Sequence, residues 1–387
     1  MAMVHWLWLA ARPDCSVRFC HALLERFGTP EAIWQAEKEQ LSKLPGMNAV
    51  RLGALLDKDL TYPKRIEHDC RRQDIQIVLF DDSAYPKPLR DIVDPPLVLY
   101  VRGILPDFTD RLSISIVGTR SCTDYGIHAA RYFAGNLAQQ GCIIVSGMAL
   151  GIDGAANRAA VEAGGSTIAV LGSGVDVCYP WRHEKLMKQI IEHGAVISEY
   201  PPGTEPKGWH FPVRNRIITG LSQGTLIVEA PKKSGALISA DLALEQGRDV
   251  FAVPADINRP SSAGCNHLIR QGGAELVQEP LDILAHYGRQ QVKQKPVNRT
   301  TDKRNCRTEP IQTPVFQPEK KRKLNGSHVE CNVWRAVQQG NTTTDAVVEA
   351  TGLPTAAVLA ALTMLEIGAY VSLTDSGYQA ADDVQIE

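Results

Sequence analysis

The sequence predicts an α/β fold: a Rossmann-like, doubly wound parallel sheet, preceded by an N-terminal helical domain and followed by a C-terminal winged-helix domain. The sheet is predicted by short, almost continuously apolar segments that recur at regular intervals, as strands buried on both faces do. Helical patterns separate these segments, and strand–helix–strand repetition is typical of a parallel sheet. The predicted strands are Leu112–Val117, Cys142–Ser146, Thr167–Leu171, Ala195–Ser198, Thr225–Glu229 and Asp249–Val253.

The residues before this sheet divide into two parts. Residues 1–60 contain short apolar-periodic segments separated by turns, which predict a helical domain of the SAM or helix-hairpin-helix kind. The turn Leu44–Met47, with Pro-Gly at its tip, fits either backbone amides that bind a phosphate or a plain helical hairpin. Residues 61–107 are rich in proline and predict an extension, with one strand at Gln76–Phe80, that leads into a core domain at 108–288.

Two segments follow the core domain. Residues 289–326 predict a flexible basic linker, because residues 289–323 hold eleven Lys or Arg against three acids and few large apolar side chains. Residues 327–387 contain three helical segments and a β-hairpin pattern, which is the plan of a winged helix.

The charge of the predicted winged-helix domain is unusual for its fold. Arg335 is its one basic residue against eight acidic ones, a net charge of −7, and its third predicted helix, Thr355–Ile367, has no Lys or Arg. A winged helix that lays this helix in the major groove needs cations for the flanking phosphates. Because such a negative domain should repel DNA, we expect a protein-interaction or regulatory module.

The composition is that of a cytoplasmic globular protein. The chain of 387 residues is 44% apolar and 22% charged with a formal net charge of −2, so polyanion binding must come from local clusters of Lys and Arg. The apolar run Val4–Ala11 lacks the flanks of a signal peptide and predicts a buried helix. No segment approaches the roughly 18 apolar residues of a membrane span. The nine scattered cysteines contain no C-x-x-C pair, so we expect free thiols and no metal site.

Glycine-rich turns follow the first three predicted strands. Ligands of parallel sheets bind at the carboxyl ends of strands, beside helix N-termini that favour anions. The turns therefore predict a site for a phosphate-bearing ligand, although neither G-x-G-x-x-G nor a P-loop is present and no cofactor is expected. The three turns are Gly118-Thr119-Arg120-Ser121, the segment from Ser146-Gly147 to Gly151, and Gly172-Ser173-Gly174.

Basic residues are concentrated at the same predicted edge of the sheet, as a bound nucleic-acid strand requires. Arg214 and Arg216 are two residues apart on one predicted helix, so we expect one to contact the ligand and the other an internal carboxylate. The predicted DNA-binding residues are Gly118, Thr119, Arg120, Ser121, Ser146, Gly147, Gly151, Gly172, Lys185, Arg214, Asn215, Arg216, Lys232, Lys233, Ser234 and Gly235.

The core domain resembles the DNA-processing protein A (DprA, or Smf) family over about residues 105–285. The flanking helical and winged-helix domains look like the accessory domains of that family. The matching blocks include Gly118-Thr119-Arg120, Ser146-Gly147-x-Ala149-x-Gly151-Ile152-Asp153, Tyr179-Pro180, Ser198-Glu199-Tyr200-Pro201-Pro202-Gly203, Phe211-Pro212-x-Arg214-Asn215-Arg216-Ile217-Ile218, Ser234-Gly235-Ala236-Leu237 and Gly264-Cys265-Asn266-x-Leu268-Ile269.

The resemblance implies a non-catalytic protein that binds single-stranded DNA and protects incoming DNA. It also implies a homodimer formed through the Rossmann-like domain, with RecA as a partner that the protein helps to load during natural transformation and recombination. The sequence agrees in that it shows no coherent nucleophile–base set. The histidines without an evident Ser or Cys partner at motif spacing are His128, His183, His193, His210 and His267.

Two alternatives from other classes remain open. The segment from Gly224 to Glu229 partly matches a loop of nucleotide phosphoribohydrolases, which share this Rossmann subtype, but Leu221-Ser222-Gln223 replaces the glycines that lead that loop. A winged helix also occurs in transcriptional regulators. Nucleotide hydrolysis would identify the enzyme, and sequence-specific binding of duplex DNA would identify the regulator.

Overall fold

The chain forms two compact units, Met1–Val297 and Asn298–Glu387, and each is described by itself. The computed structural model describes residues 2–288, 322–323, 327–367, 370–374, 377–380 and 384–385. The predicted linker, 289–326, therefore lies outside the described residues except for Arg322 and Lys323.

The first unit begins with the predicted helical domain and continues with helices that alternate with strands. Two short 3₁₀ turns, Trp181–His183 and Pro260–Ser262, precede α10 and α13 of the following series. The helices are α1 (Ala2–Ala10), α2 (Val17–Phe27), α3 (Pro30–Gln35), α4 (Lys38–Ser42), α5 (Ala49–Leu56), α6 (Thr61–Arg72), α7 (Lys87–Arg90), α8 (Asp124–Gln139), α9 (Ile152–Glu162), α10 (Glu184–His193), α11 (His210–Gly220), α12 (Gly235–Glu245), α13 (Ala263–Arg270) and α14 (Pro280–His286).

Within the described residues, the first unit is built on a nine-stranded sheet of order β1-β2-β6-β5-β4-β3-β7-β8-β9. All neighbouring strands from β3 to β9 are parallel, whereas β2 is antiparallel to both β1 and β6. The predicted doubly wound α/β fold is confirmed. The strands are β1 (Gln76–Leu79), β2 (Val98–Gly103), β3 (Ser113–Val117), β4 (Ile143–Ser146), β5 (Thr167–Val170), β6 (Ala195–Ser198), β7 (Gly224–Ile227), β8 (Asp249–Ala252) and β9 (Glu275–Leu276).

The sheet is not purely parallel, because residues 61–107 contribute to it. The sequence predicted one strand in this extension, yet both β1 and β2 join the edge of the sheet beside β6. Strand β2 was missed because the prolines Pro95-Pro96 precede it, although proline just before a strand removes no ladder hydrogen bond. The expected division between 61–107 and 108–288 is therefore not visible in the sheet.

Helices cover both faces of the sheet. Ile144 of β4 packs with Phe133 and Leu137 of α8 on one face, whereas its neighbours Ile143 and Val145 belong to the core on the other face. Such alternation along a strand that is buried on both sides produces the continuous apolar runs from which the strands were predicted.

The helical domain packs on the β2–β6 side of the sheet. Trp6, Leu7, Trp8 and Leu9 of α1 are buried in the core that includes Val196 of β6. The predicted buried N-terminal helix is confirmed. A phosphate site at the turn between α4 and α5 stays a prediction.

The second unit has the predicted winged-helix plan. Its helices and hairpin agree closely with the predicted ones, and Trp334 and Leu362 lie in its core. Two features differ from the prediction. The first helix begins at His328, where the sequence predicts a start at Val333. A strand within the predicted linker, Arg322–Lys323, pairs in parallel with Val384–Gln385. The elements are β10 (Arg322–Lys323), α15 (His328–Gln338), α16 (Thr344–Thr351), α17 (Thr355–Ile367), β11 (Val371–Thr374), β12 (Gly377–Ala380) and β13 (Val384–Gln385).

Among the described residues, no single helix is long and apolar enough to cross a membrane. Helices α16 and α17 reach that length and apolarity only when taken together, and the pair is bent by 113°.

Candidate nucleic-acid interface

A cavity of about 580 Å³ opens at the carboxyl end of the parallel sheet. It lies where the chain, starting from β3, winds first toward β4 and later returns to β7, the point at which doubly wound sheets bind ligands. Here the backbone N–H of Thr119 donates to the carbonyl of Glu229 at 2.7 Å, so the loops after β3 and β7 are joined. The predicted contacts that line the cavity are Gly118, Thr119, Arg120, Ser121, Arg214, Asn215, Lys233, Ser234 and Gly235.

Close backbone approach explains why two positions in these turns are glycine. A Cβ on Gly118 would lie 2.5 Å from the Ile152 side chain and 2.9 Å from the carbonyl oxygen of Glu229. Gly151 has φ +78°, and a Cβ added there would collide with the carbonyl oxygens of Thr119 and Arg120. Side chains at these positions would push the loops apart, so the glycines shape the site rather than contact a ligand through chemistry of their own.

A buried pair of opposite charges holds the loops in place. Arg214, only 3% exposed, donates from its guanidinium to the carbonyls of Gly147, at 3.0 Å, and Val170. The carboxylate of Asp153 accepts from the backbone N–H of Gly147 at 3.1 Å. Burial raises the pKa of Asp153 and lowers the pKa of Arg214 to about 10, and the attraction between the two opposes both shifts. Arg214 therefore braces the ends of β4 and β5 while adding positive charge beneath the cavity.

Arg120 is an exposed cation of the cavity. Its guanidinium carbon lies 5.0 Å from the centre of the Phe211 ring, within cation–π range. Arg120 takes part in none of the ion pairs formed among the described residues. Its charge is therefore available to an anionic ligand, and the aromatic ring beneath it limits the directions in which it can point.

The N-terminus of α12 forms the opposite wall. Ser234 caps this helix, accepting from the backbone N–H of Ala236 at 3.2 Å. Lys233 is exposed and lines the cavity, whereas Lys232 is exposed and does not. A helix N-terminus beside a lysine favours a phosphate.

Arg216 does not line the cavity, because its guanidinium is held by an internal carboxylate. Its guanidinium donates to both carboxylate oxygens of Glu199 at 2.6 Å, and its Nε donates to the carbonyl of Asp94 at 3.1 Å. Both side chains of the ion pair are 12% exposed. The expected contact with an internal carboxylate is made by Arg216. Arg214 lines the cavity but is buried beside Asp153, so its contact with the ligand stays a prediction.

Other predicted contacts do not line this cavity, although Gly147 lines an adjoining recess together with Arg120 and Arg214. Ser146 is buried and its hydroxyl donates to the carbonyl of Ile116 at 2.6 Å. Gly147 is enclosed by the buried charge pair and Gly172 lies beneath Phe211, 3.1 Å from that ring as measured from an added Cβ. Lys185 is exposed on α10 and does not line the cavity.

Two aromatic residues of the cavity wall were not among the predicted contacts. Tyr179 and Phe211 line the cavity with ring centres 5.5 Å apart. Their position in the glycine-rich and arginine-bearing loops is visible in the sequence, but large aromatic side chains are commonly buried, so sequence alone does not mark them as contacts.

Glu229, on which the enzyme alternative depends, is fully buried. Its carboxylate accepts from the backbone N–H of Thr123 at 2.9 Å and from the Thr123 hydroxyl at 3.1 Å. Thr123 in turn caps α8. Glu229 is not among the residues that line the cavity, so its carboxylate stabilises a helix terminus.

Comparison with known families shows to which family the chain belongs. The model of the family described as DNA recombination-mediator protein A matches residues 76–288, which is more than half of the chain. The chain belongs to the DNA recombination-mediator protein A family. A second model, for the DprA winged helix domain, matches residues 318–372, so the family match also begins within the predicted linker.

Relatives of this recombination-mediator chain agree with the assignment. The DNA processing protein DprA of Bacillus subtilis is 42% identical over 217 residues, covering 56% of this chain and 73% of the relative. Protein Smf of Synechocystis is 35% identical over 364 residues, which cover 90% of this chain and 91% of the relative. The crystal structure of DprA from Streptococcus pneumoniae matches with a TM-score of 0.65 at 34% identity, covering 74% of this chain and 98% of that one.

Proposed function

We propose that this chain binds single-stranded DNA through the cavity at the carboxyl end of the sheet, protects incoming DNA, and helps RecA to load during natural transformation and recombination. The observation that carries the proposal is a cavity lined by two cations without an ion-pair partner among the described residues, Arg120 and Lys233, beside the N-terminus of α12. The proposal includes a homodimer formed through the Rossmann-like domain, a cytoplasmic location and no catalysis.

Aromatic faces in the cavity favour single-stranded over duplex DNA. Tyr179 and Phe211 lie among the cations, and bases stack on aromatic rings only when they are not already stacked within a duplex. The position of Glu229 argues against the phosphoribohydrolase alternative. Its carboxylate is buried and hydrogen-bonded to Thr123, so it is not placed to contact a nucleotide in the cavity.

Salt dependence tests whether phosphate contacts dominate binding. If about 3–5 phosphates are neutralised per protomer, the logarithm of affinity for single-stranded DNA should fall against the logarithm of salt concentration with a slope of about −2 to −3.5. Fluorescence anisotropy titrations of labelled oligonucleotides of several sequences would measure it. A flat salt response, or a strong preference for one sequence, would count against the proposal.

Removal of the winged helix tests the role assigned to that domain. A chain lacking residues 327–387 is expected to keep its affinity for single-stranded DNA within about threefold, or about 0.65 kcal/mol, because the missing domain has one basic residue against eight acidic ones. The isolated 327–387 fragment, as a control, should bind neither single-stranded nor duplex DNA at physiological salt. Micromolar binding of duplex DNA by the fragment would favour the regulator alternative.

A further inference from the structure

Two tryptophans beside the cavity are unusually exposed. Trp181 is 76% and Trp209 is 65% exposed, whereas Trp6, Trp8 and Trp334 are buried. A tryptophan that remains in water forgoes the large stabilisation that burial of its ring supplies. A pair of exposed indoles at one edge of a sheet is therefore a feature that needs an explanation.

Both indoles belong to loops that build the site. Trp181 follows Tyr179 and Pro180, which line a recess that Arg120 also lines. Trp209 lies between Gly208 and Phe211, both of which line the main cavity. Both tryptophans are therefore close in sequence to residues that line the proposed DNA site.

The Trp209 ring rests on fixed neighbours. It packs edge-on against His210, with ring centres 4.1 Å apart. His210 is itself stacked on Tyr200 at 4.0 Å and its Nδ1 donates to the carbonyl of Gly172 at 2.8 Å. A ring supported in this way loses little further freedom when a second ring stacks on it.

A cation lies over each indole. The ammonium of Lys207 is 5.7 Å from the centre of the Trp209 ring, and the guanidinium carbon of Arg182 is 5.7 Å from that of Trp181. Neither cation takes part in an ion pair within the part of the chain that the structure describes. A base has an aromatic face for the indole and a neighbouring phosphate for the cation, so a nucleotide satisfies both members of each pair.

We propose that Trp181 and Trp209 are stacking platforms for unpaired bases of single-stranded DNA, and that Arg182 and Lys207 move from the indole faces to the adjacent phosphates when the bases stack. This inference rests on the proposed function and extends the DNA path beyond the cavity. It explains why two indoles remain exposed to solvent without requiring a protein partner that covers them.

The test compares two strands that differ only in their bases. Oligothymidylate and an abasic strand of equal length are titrated with the full-length chain and with its Trp181→Ala and Trp209→Ala variants. Each variant is expected to lose about five- to a hundredfold in affinity for oligothymidylate and to keep its affinity for the abasic strand and its salt slope. The Trp→Phe variants should recover most of the loss.

Tyr62→Ala is the matched control. Tyr62 is an exposed aromatic residue of α6 with the Arg65 guanidinium 5.2 Å from its ring, and it is not among the residues that line the cavity. Its substitution should leave both affinities unchanged. Thermal unfolding of all variants should match that of the parent, because the substituted side chains are exposed.

Each result decides the inference. Unchanged oligothymidylate affinity in both tryptophan variants would overturn the stacking role while leaving the proposed function intact, since the parent would still bind. An equal loss on the abasic strand would also overturn it, because the effect would then not involve bases. Failure of the parent chain to bind either strand would instead overturn the proposed function, and the inference with it.

Discussion

Arg120→Ala is expected to weaken binding of single-stranded DNA by about ten- to a hundredfold without unfolding the protein. A hydrogen bond to a charged group contributes about 1.5–3 kcal/mol, which converts to that range at about 1.4 kcal/mol per tenfold. Arg120 is exposed, lines the cavity and has no ion-pair partner among the described residues. Its removal therefore deletes a ligand contact and leaves no buried group without a partner.

The control for Arg120→Ala is Arg71→Ala. Arg71 is an exposed arginine of α6 that pairs with Glu67 and does not line the cavity, so this variant loses the same charge at a different place. Anisotropy titration at low salt should show a loss only for Arg120→Ala, with its salt slope reduced in magnitude by about 0.7. Equal affinity of both variants would remove Arg120 from the site.

Arg216→Met is expected to lower the free energy of unfolding strongly while leaving the affinity for single-stranded DNA almost unchanged. Removing one member of a buried ion pair costs about 3–5 kcal/mol, and Glu199 would be left 12% exposed without the guanidinium that now meets both of its oxygens. Arg216 also donates to the carbonyl of Asp94. The variant therefore also loses this hydrogen bond to the segment that precedes β2. Chemical denaturation followed by tryptophan fluorescence would measure the change in the free energy of unfolding.

The double variant Arg216→Met with Glu199→Leu should recover part of this loss, because neither charge is then buried alone. At a temperature where Arg216→Met is folded, its affinity for single-stranded DNA should stay within about threefold of the parent. A stable Arg216→Met variant that no longer binds DNA would show that Arg216 contacts the ligand after all.

The strands of the sheet could be predicted because burial on both faces requires apolar residues along each strand. Residues on both sides of β3 to β8 are covered by helices, so the sequence is apolar at almost every position. Strand β2 has a similar pattern but follows two prolines, and proline-rich sequence is typical of irregular structure. Strand β10 has only two residues and depends on β13, some sixty residues later, so no local pattern indicates it.

The candidate site was predicted less completely, because the role of a cation depends on what the fold places beside it. Arg214 and Arg216 are alike in sequence and neither is exposed, and only the position of Glu199 at the end of β6 decides that Arg216 forms an internal ion pair. Lys185 and Lys233 are both lysines near helix starts, yet only Lys233 faces the cavity. The glycine turns lie around the cavity, and at Gly147 and Gly151 an added Cβ would collide with neighbouring atoms, which the sequence alone does not show.

The most direct test of the central claim is an equilibrium titration of the full-length chain with single-stranded and duplex DNA of the same length and sequence. We expect tight, salt-sensitive binding of the single strand, weaker binding of the duplex, and a loss of the single-strand binding in Arg120→Ala. Equal or tighter binding of the duplex, unaffected by Arg120→Ala, would contradict the assignment of the cavity as a site for single-stranded DNA.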